Sequence, residues 1–527
     1  MSGMTETQDL LTPQYWKKMK IGASELDMLS SYLLEEEKPS IPLALAALIV
    51  GHHINLQESN SNQEQSISDY LPEESFTIGQ ALRFPELKDK SGIVSKIRAA
   101  NSLPGTKYSV IEVEFEDQTS QEFASELADH ALNEVAELEP DNQMDPVEEI
   151  LSEHGVYVAS TIEASLRENA EFVYIAGRWF LKALTADFSD GQLNLAEAIL
   201  DMNAGGPLGT EEILSEIGGP DGIHPNLASF SLDLALQDDE RFDEIGIAGE
   251  VAWFLRKMEP QDVQQTPLFL RYEDVPHDRE MLSEEMLELE QYLHDEHSPI
   301  EERIEEASSV EVRLIFPHWR SGSLPLTKSM EKLFPTAYES PRVRFEFVDA
   351  KSGERYPGWV VRAERYVDGL RKWYTQHGLM PGSYVKVRRG EKPGEILVDA
   401  DTHHSSKEWV RTALIGADGG VVYATLKQTV VSAFDERMMV FLPSDISTLD
   451  QSWEKQQQNL ERAILASIRE LTKLNPQQHA HAAEIYAAVN VVKRCPPAPI
   501  LAILAAHPEV EHVGHLHFRM KHQGQEQ

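Results

Sequence analysis

The chain has 527 residues, 41% of them hydrophobic, with 47 Lys and Arg against 88 Asp and Glu for a formal net charge of -41. That length holds several domains of ordinary size and the apolar content supplies folded cores. The acidity repels phosphate backbones, so any nucleic-acid contact is confined to a locally basic segment. A single cysteine, Cys495, excludes internal disulfides and cysteine-rich zinc sites, and its place beside Pro496 and Pro497 reads as a structural thiol. The longest apolar run, residues 41–50, is well short of a membrane span, and the first residues lack a basic leader. A cytoplasmic protein without a membrane partner is expected.

In chain order, residues 1–66 read as a small helical module with an apolar segment at 39–51, followed by a polar stretch of linker composition. Residues 67–130 change to short β-runs, in which Ile111, Val113 and Phe115 alternate with Val110, Glu112 and Glu114. That alternation predicts a small antiparallel barrel. Its order, IGQALRFPELKDKSGIV and then IEVEFEDQTSQEF, resembles the Tudor-like barrels attached to some helicases and polymerase-binding factors.

Three later stretches repeat one plan: an apolar helix, a short second helix, a third helix, and a hairpin ending in aromatics. This is the plan of a winged helix-turn-helix. Residues 140–186 hold a degenerate copy, with PVEEILSEHG and STIEASLREN as two helices and EFVYIAGRWFLKAL as the hairpin. Residues 187–260 hold the clearest copy, and 451–527 the last. Between them lie an acidic helical connector at 261–310, a β-rich segment with one helix at 311–402, and a β-hairpin extension at 403–450 whose GADGG is the turn. The expected class is therefore α+β and multidomain: several winged helix-turn-helix units, a small Tudor-like barrel and a seven-stranded type of pseudobarrel.

The 187–260 copy resembles the HARE-type winged helix of the RNA polymerase delta subunit and of some chromatin and restriction-associated proteins, on Pro207, Leu208, Glu212 and Ile213, then Arg241, Phe242, Ile245 and Gly246. Its third helix, NLASFSLDLALQDD, has no Lys or Arg where a base-reading helix carries several. The resemblance thus implies docking on protein partners, RNA polymerase among them.

Residues 311–400 carry 16 Lys and Arg against 11 Asp and Glu, the reverse of the balance elsewhere. This segment resembles the plant auxin-response-factor type of DNA-binding pseudobarrel, on LPLTKSMEKLFP at 324–335, Phe347, Asp349, Gly353, Trp359, Tyr366, GLRKW at 369–373, and Gly378, Leu379, Pro381 and Gly382. In that family two arms clasp the major groove of double-stranded DNA. By position the first arm would hold Trp319, Arg320, Ser321, Lys328 and Lys332, and the second Arg362, Glu364, Arg365 and Tyr366. Arginine reads guanine bidentately and lysine neutralises phosphate. Trp359 and Trp373 read as core aromatics.

Catalytic signatures do not assemble. Asp349 and Lys351 sit in a predicted hairpin turn, GGPLGTEE lacks the lysine of a phosphate loop, and no nucleophile elbow is present. His512, His515 and His517 alternate with apolar residues as a wing strand does, so neither metal nor cofactor is expected. The function expected is that of a non-enzymatic regulator which binds DNA or docks on the transcription machinery. The alternative is a non-catalytic scaffold or recognition subunit of a defence or restriction system.

Overall fold

The computed structural model describes residues 13–64, 68–87, 90–100, 108–115, 119–128, 130–133, 145–220, 222–247, 249–299, 308–455 and 459–521. The chain is mixed α and β and divides into two compact units, residues 1–174 with 178–184, and residues 175–177 with 185–527.

The first unit opens with α1 (Pro13–Lys18), α2 (Ala23–Glu36) and α3 (Pro42–Glu64). Leu29 and Leu33 of α2, and Leu45 and Ile49 of α3, are four apart and buried, as a one-sided helix requires. Five strands follow, β1 (Ser68–Asp69), β2 (Ala81–Phe84), β3 (Lys90–Ala99), β4 (Ser109–Phe115) and β5 (Ser120–Ser125), paired in sequence order. Ile111, Val113 and Phe115 enter their core with Leu82, Phe84 and Val94, while the glutamates between them stay out.

Next, α4 (Pro146–Arg167) is one unbroken helix of 22 residues, where the sequence suggests two. Gly155 does not break it: a Cβ there would meet Leu43 at 3.0 Å, so the glycine lets α3 approach. Asp145 caps the helix through Val147 N–H. The hairpin of β6 (Phe172–Ile175) and β7 (Arg178–Leu181) comes after it, and Trp179 of β7 exchanges backbone hydrogen bonds with Ser40, at 2.8 and 3.0 Å. The order is therefore helix, bridge residue, helix, helix, hairpin, with the five-stranded sheet inserted between α3 and α4.

The second unit begins with the same order uninterrupted: α5 (Asp190–Met202), β8 (Leu208–Gly209), α6 (Thr210–Ile217), α7 (Pro225–Asp238), β9 (Phe242–Glu244) and β10 (Ala252–Leu255), with strands paired β8-β10-β9. Ser189 caps α5, reciprocally with Gln192. Trp253 anchors the core and donates its indole N–H to Asp233 at 2.9 Å, which also takes the Thr210 hydroxyl. Residues 261–299 are less helical than the sequence suggests, holding only α8 (Gln261–Gln264), α9 (Glu284–Leu293) and two short 3-10 turns. Three of their carboxylates, Glu290, Asp295 and Glu296, are buried. The rest of that connector, 300–307, lies outside the described residues.

A nearly closed seven-stranded sheet follows, built from β11 (Ser309–Arg313), α10 (Phe316–Ser321), β12 (Ser323–Pro325), α11 (Lys328–Glu331), β13 (Arg342–Asp349), β14 (Arg355–Val361), β15 (Tyr366–Asp368), α12 (Arg371–Gln376), β16 (Tyr384–Arg389) and β17 (Glu395–Asp399). Its order is β11-β16-β17-β13-β14-β15-β12, and only β13 with β17 is parallel. Val343, Phe345 and Phe347 point inward while Arg342, Arg344 and Glu346 point outward. Trp373 lies in the core and donates to Asp349 at 2.6 Å; that carboxylate also takes the N–H groups of Lys351 and Ser352, as a turn does. Trp359 differs: with Val361 and Tyr366 it packs against Ile245, Phe254, Val263 and Leu270, outside the sheet's own core.

A long hairpin, β18 (Thr402–Ile415) and β19 (Val421–Ser432), and α12's successor α13 (Ser447–Glu454) lead to the last set. This comprises α14 (Leu460–Thr472), β20 (Ala480–His481), α15 (Ala482–Val492), α16 (Pro497–Ala506), β21 (Val510–Gly514) and β22 (His517–Met520), with strands paired β20-β22-β21, the order seen in β8-β10-β9. No single helix among the described residues is long and apolar enough to cross a membrane.

Candidate nucleic-acid interface

Half of the expected contact residues are already engaged. Trp319, Arg320 and Ser321 belong to α10 and not to a loop. The Trp319 indole donates to Leu379 O at 2.7 Å, Arg320 pairs with Asp450 at 2.6 Å, and Ser321 is only 2% exposed. Tyr366 is 1% exposed and donates to Asp262 O at 2.5 Å, beneath the segment that packs on β14 and β15. Ser321 and Tyr366 are thus buried, while Trp319 and Arg320 are half-buried and already engaged by Leu379 O and Asp450.

The remaining four lie nearer the surface. Arg362 donates to the carbonyls of Glu331, Phe334 and Pro335 at 3.3, 3.0 and 2.9 Å, so it clamps the chain just after α11. Burial pulls its guanidinium below the usual value. This clamp brings Arg362 to the segment that carries Lys328 and Lys332. Lys328 faces Glu331 at 3.6 Å, and Lys332 is exposed. Arg365 sits at φ +55° in the turn between β14 and β15 and donates to Glu296 O at 3.1 Å.

Most other cations of the sheet are matched: Arg342 with Asp243 and Glu259, Lys351 with Asp399, Arg355 with Glu346 and Glu395, Arg371 with Asp262, and Lys372 with Glu354. Among the described residues, Lys332, Arg388, Arg389 and Lys392 form no ion pair, and all four are exposed. The Arg389 guanidinium donates to Lys332 O, which draws the β16–β17 turn against the end of α11. Of the sheet's cations without an ion pair among the described residues, which also include Arg344, Arg362 and Arg365, these four lie at the β16–β17 strand pair and the end of α11. Sequence reasoning passed over Arg388, Arg389 and Lys392 because the resemblance directed attention to the arms. The signal was legible as KVRRGEK at 386–392.

Two buried charge clusters join the helical sets to the sheet. In one, Arg494 reaches Asp295 at 2.8 Å and Glu296 at 2.7 Å, Tyr486 donates to Asp295 at 2.6 Å, and His318 of α10 meets Glu296 at 3.1 Å. In the other, Arg342 of β13 meets Asp243 at 2.7 Å and Glu259 at 3.0 Å. Burial, with Asp243 beside it, pushes the Glu259 carboxyl up to about 8. Burial likewise raises Glu244 to about 7, against three backbone N–H groups, of Gly246, Tyr338 and Glu339, that favour its anion.

The thiol of Cys495 is buried and pushed up to about 12, so it is a poor nucleophile. Among the described residues no group of three or more His, Cys, Asp or Glu is arranged to hold a metal ion. His512 stacks on Phe518, and His481 caps α15 through Ala483 N–H. Compared with protein-family models, with curated proteins and with solved structures, the chain matches none.

Proposed function

We propose that this protein is a non-enzymatic, cytoplasmic DNA-associated regulator. The three helix–strand–helix–helix–hairpin sets are read as winged helix-turn-helix units and the seven-stranded sheet as a DNA-binding type of pseudobarrel. Duplex DNA would meet the sheet at Lys332, Arg388, Arg389 and Lys392, while the acidic helical sets dock protein partners, RNA polymerase among them. One observation carries the reading: on a chain of charge -41, exposed cations without carboxylate partners gather at the β16–β17 turn and the end of α11. Phosphate contact needs cations of this kind, since a paired arginine must first give up its carboxylate.

Fluorescence anisotropy of a labelled duplex at low salt tests it. Replacing Arg388, Arg389 and Lys392 together by alanine should weaken binding at least about tenfold, in keeping with the loss of three phosphate contacts. Wild-type protein that fails to bind duplex DNA at low salt would remove the reading. A second reading, a scaffold or recognition subunit of a defence system, is favoured by α7, which presents no Lys or Arg for base contact. Capture of a protein with no affinity for DNA would support that alternative.

A further inference from the structure

The β18–β19 hairpin buries opposite faces at its two ends. Ala413 and Tyr423, paired across the strands, enter the core of the last helical set. Nearer residue 402 the other face turns inward, where Val410 and Val430 pack with Met380 and Met439. The face of Ala413 and Tyr423 is thus left open at this end, and there it carries Lys407, Trp409, Lys427 and Thr429, all exposed. Trp409 is 69% exposed, more than any other aromatic among the exposed large hydrophobic residues of the described chain. Lys427 stands directly opposite it and Lys407 two positions before it, which puts both lysine Cβ atoms within about 5–7 Å of its own.

Charge decides what can sit there. Neither lysine forms an ion pair among the described residues. Arg411, next on the same face, is held by Glu484 and by Arg437 O. Glu408 points to the other face, where it stands opposite Gln428. Glu436 precedes the segment that runs along the outer edge of β18, where Phe441 bonds to Arg411 and Ala413, whereas Lys427 lies across the inner edge on β19. A bare indole flanked by two unmatched lysines complements a nucleotide, with the base on the ring and its phosphates on the ammonium groups. A duplex keeps its base faces stacked inside and offers this surface only phosphate. An acidic side chain would meet a lysine but leave the indole uncovered.

We propose that this face of the hairpin binds single-stranded DNA, one unpaired base stacking on Trp409 while Lys407 and Lys427 hold the flanking phosphates. The choice of DNA rests on the reading of the protein as DNA-associated, but the site is distinct from the basic β16–β17 turn. It is tested by fluorescence anisotropy at low salt, with a labelled oligothymidylate of about ten nucleotides. The full-length variant with Arg388, Arg389 and Lys392 changed to alanine is used, so that binding of the strand is scored apart from binding of duplex at that turn. The strand should bind, and Trp409→Ala should weaken it at least about fivefold. An abasic strand of the same length should bind as weakly as oligothymidylate binds the Trp409→Ala variant. Lys407→Gln with Lys427→Gln should reduce the slope of log K against log salt by about 1.4, or 0.7 for each phosphate contact on a single strand. Equal thermal midpoints establish that the variants are folded. Absence of binding, or equal affinity after Trp409→Ala or for the abasic strand, would overturn the proposal. Displacement of the strand by hexaglutamate at equal concentration would overturn it in favour of an acidic protein partner, and tenfold tighter binding of oligouridylate in favour of RNA.

Discussion

Arg494 and Arg342 each hold two buried carboxylates where a helical set meets the seven-stranded sheet, yet the two joints differ in electrostatic balance. Around Arg494, burial would raise Glu296, but the guanidinium and His318 hold that carboxyl well below the usual range. Around Arg342, burial and Asp243 outweigh the cations Arg342 and Arg256, so Glu259 stays protonated up to about 8. The same residue types thus make one joint that is ionic throughout the neutral range and another that holds a proton. The difference lies in the other neighbours: His318 joins Arg494 in lowering Glu296, whereas Asp243 joins burial in raising Glu259.

The signs of the pH dependence follow. Glu296 has a depressed folded pKa, so its contribution is full above the ordinary carboxyl value of 4.5 and is lost as the pH falls below it. Glu259 and Glu244 have raised folded values. Their contribution is full below 4.5 and declines as the pH rises through about 7 and 8.

The largest expected effect breaks the first joint. Arg494→Met leaves Asp295 and Glu296 buried without a cation and should cost about 3–5 kcal/mol in urea denaturation at pH 7. A loss under about 1 kcal/mol would mean that the pair is not fully buried. Arg342→Met sharpens the contrast: its cost should be of similar size at pH 9 but clearly smaller at pH 6, where Glu259 can remain neutral. Equal costs at both pH values would remove the proposed proton. Next in size, Glu259→Gln should stabilise the protein more at pH 9 than at pH 6, by a difference on the order of 2–3 kcal/mol, because the folded glutamate ionises between those values while the unfolded one is ionised at both. The smallest effect is a control in the same helical set, Ser189→Ala. Removal of that cap should cost about 1 kcal/mol with no dependence on pH between 6 and 9.

Legibility in the sequence tracked distance along the chain. The alternation of Val343, Phe345 and Phe347 with Arg342, Arg344 and Glu346 is local, and the strand it predicts is β13. The elements between Ser189 and Leu255 were legible for the same reason, since each helix and hairpin follows the last. The first helical set was hidden because the five-stranded sheet separates α3 from α4, so the partner of Trp179 is Ser40 in a segment read as a separate module. Gly155 looked like a break because its value lies in the approach of Leu43, a contact no local pattern reveals. The joints were invisible likewise, with Arg494 and Glu296 lying 198 positions apart. At the candidate interface, residue type identified the basic segment. Only packing could tell the cations that hold partners, Arg320 and Arg362, from Arg388 and Lys392, which form no ion pair among the described residues.

The central claim, that the unmatched cations of the β16–β17 turn meet phosphate, is tested most directly by the salt dependence of duplex binding. For wild-type protein log K should fall linearly with log salt, and changing Arg388 and Lys392 together to alanine should reduce the slope by about 1.8, or 0.9 for each phosphate contact. A slope unchanged by that double substitution would contradict the account.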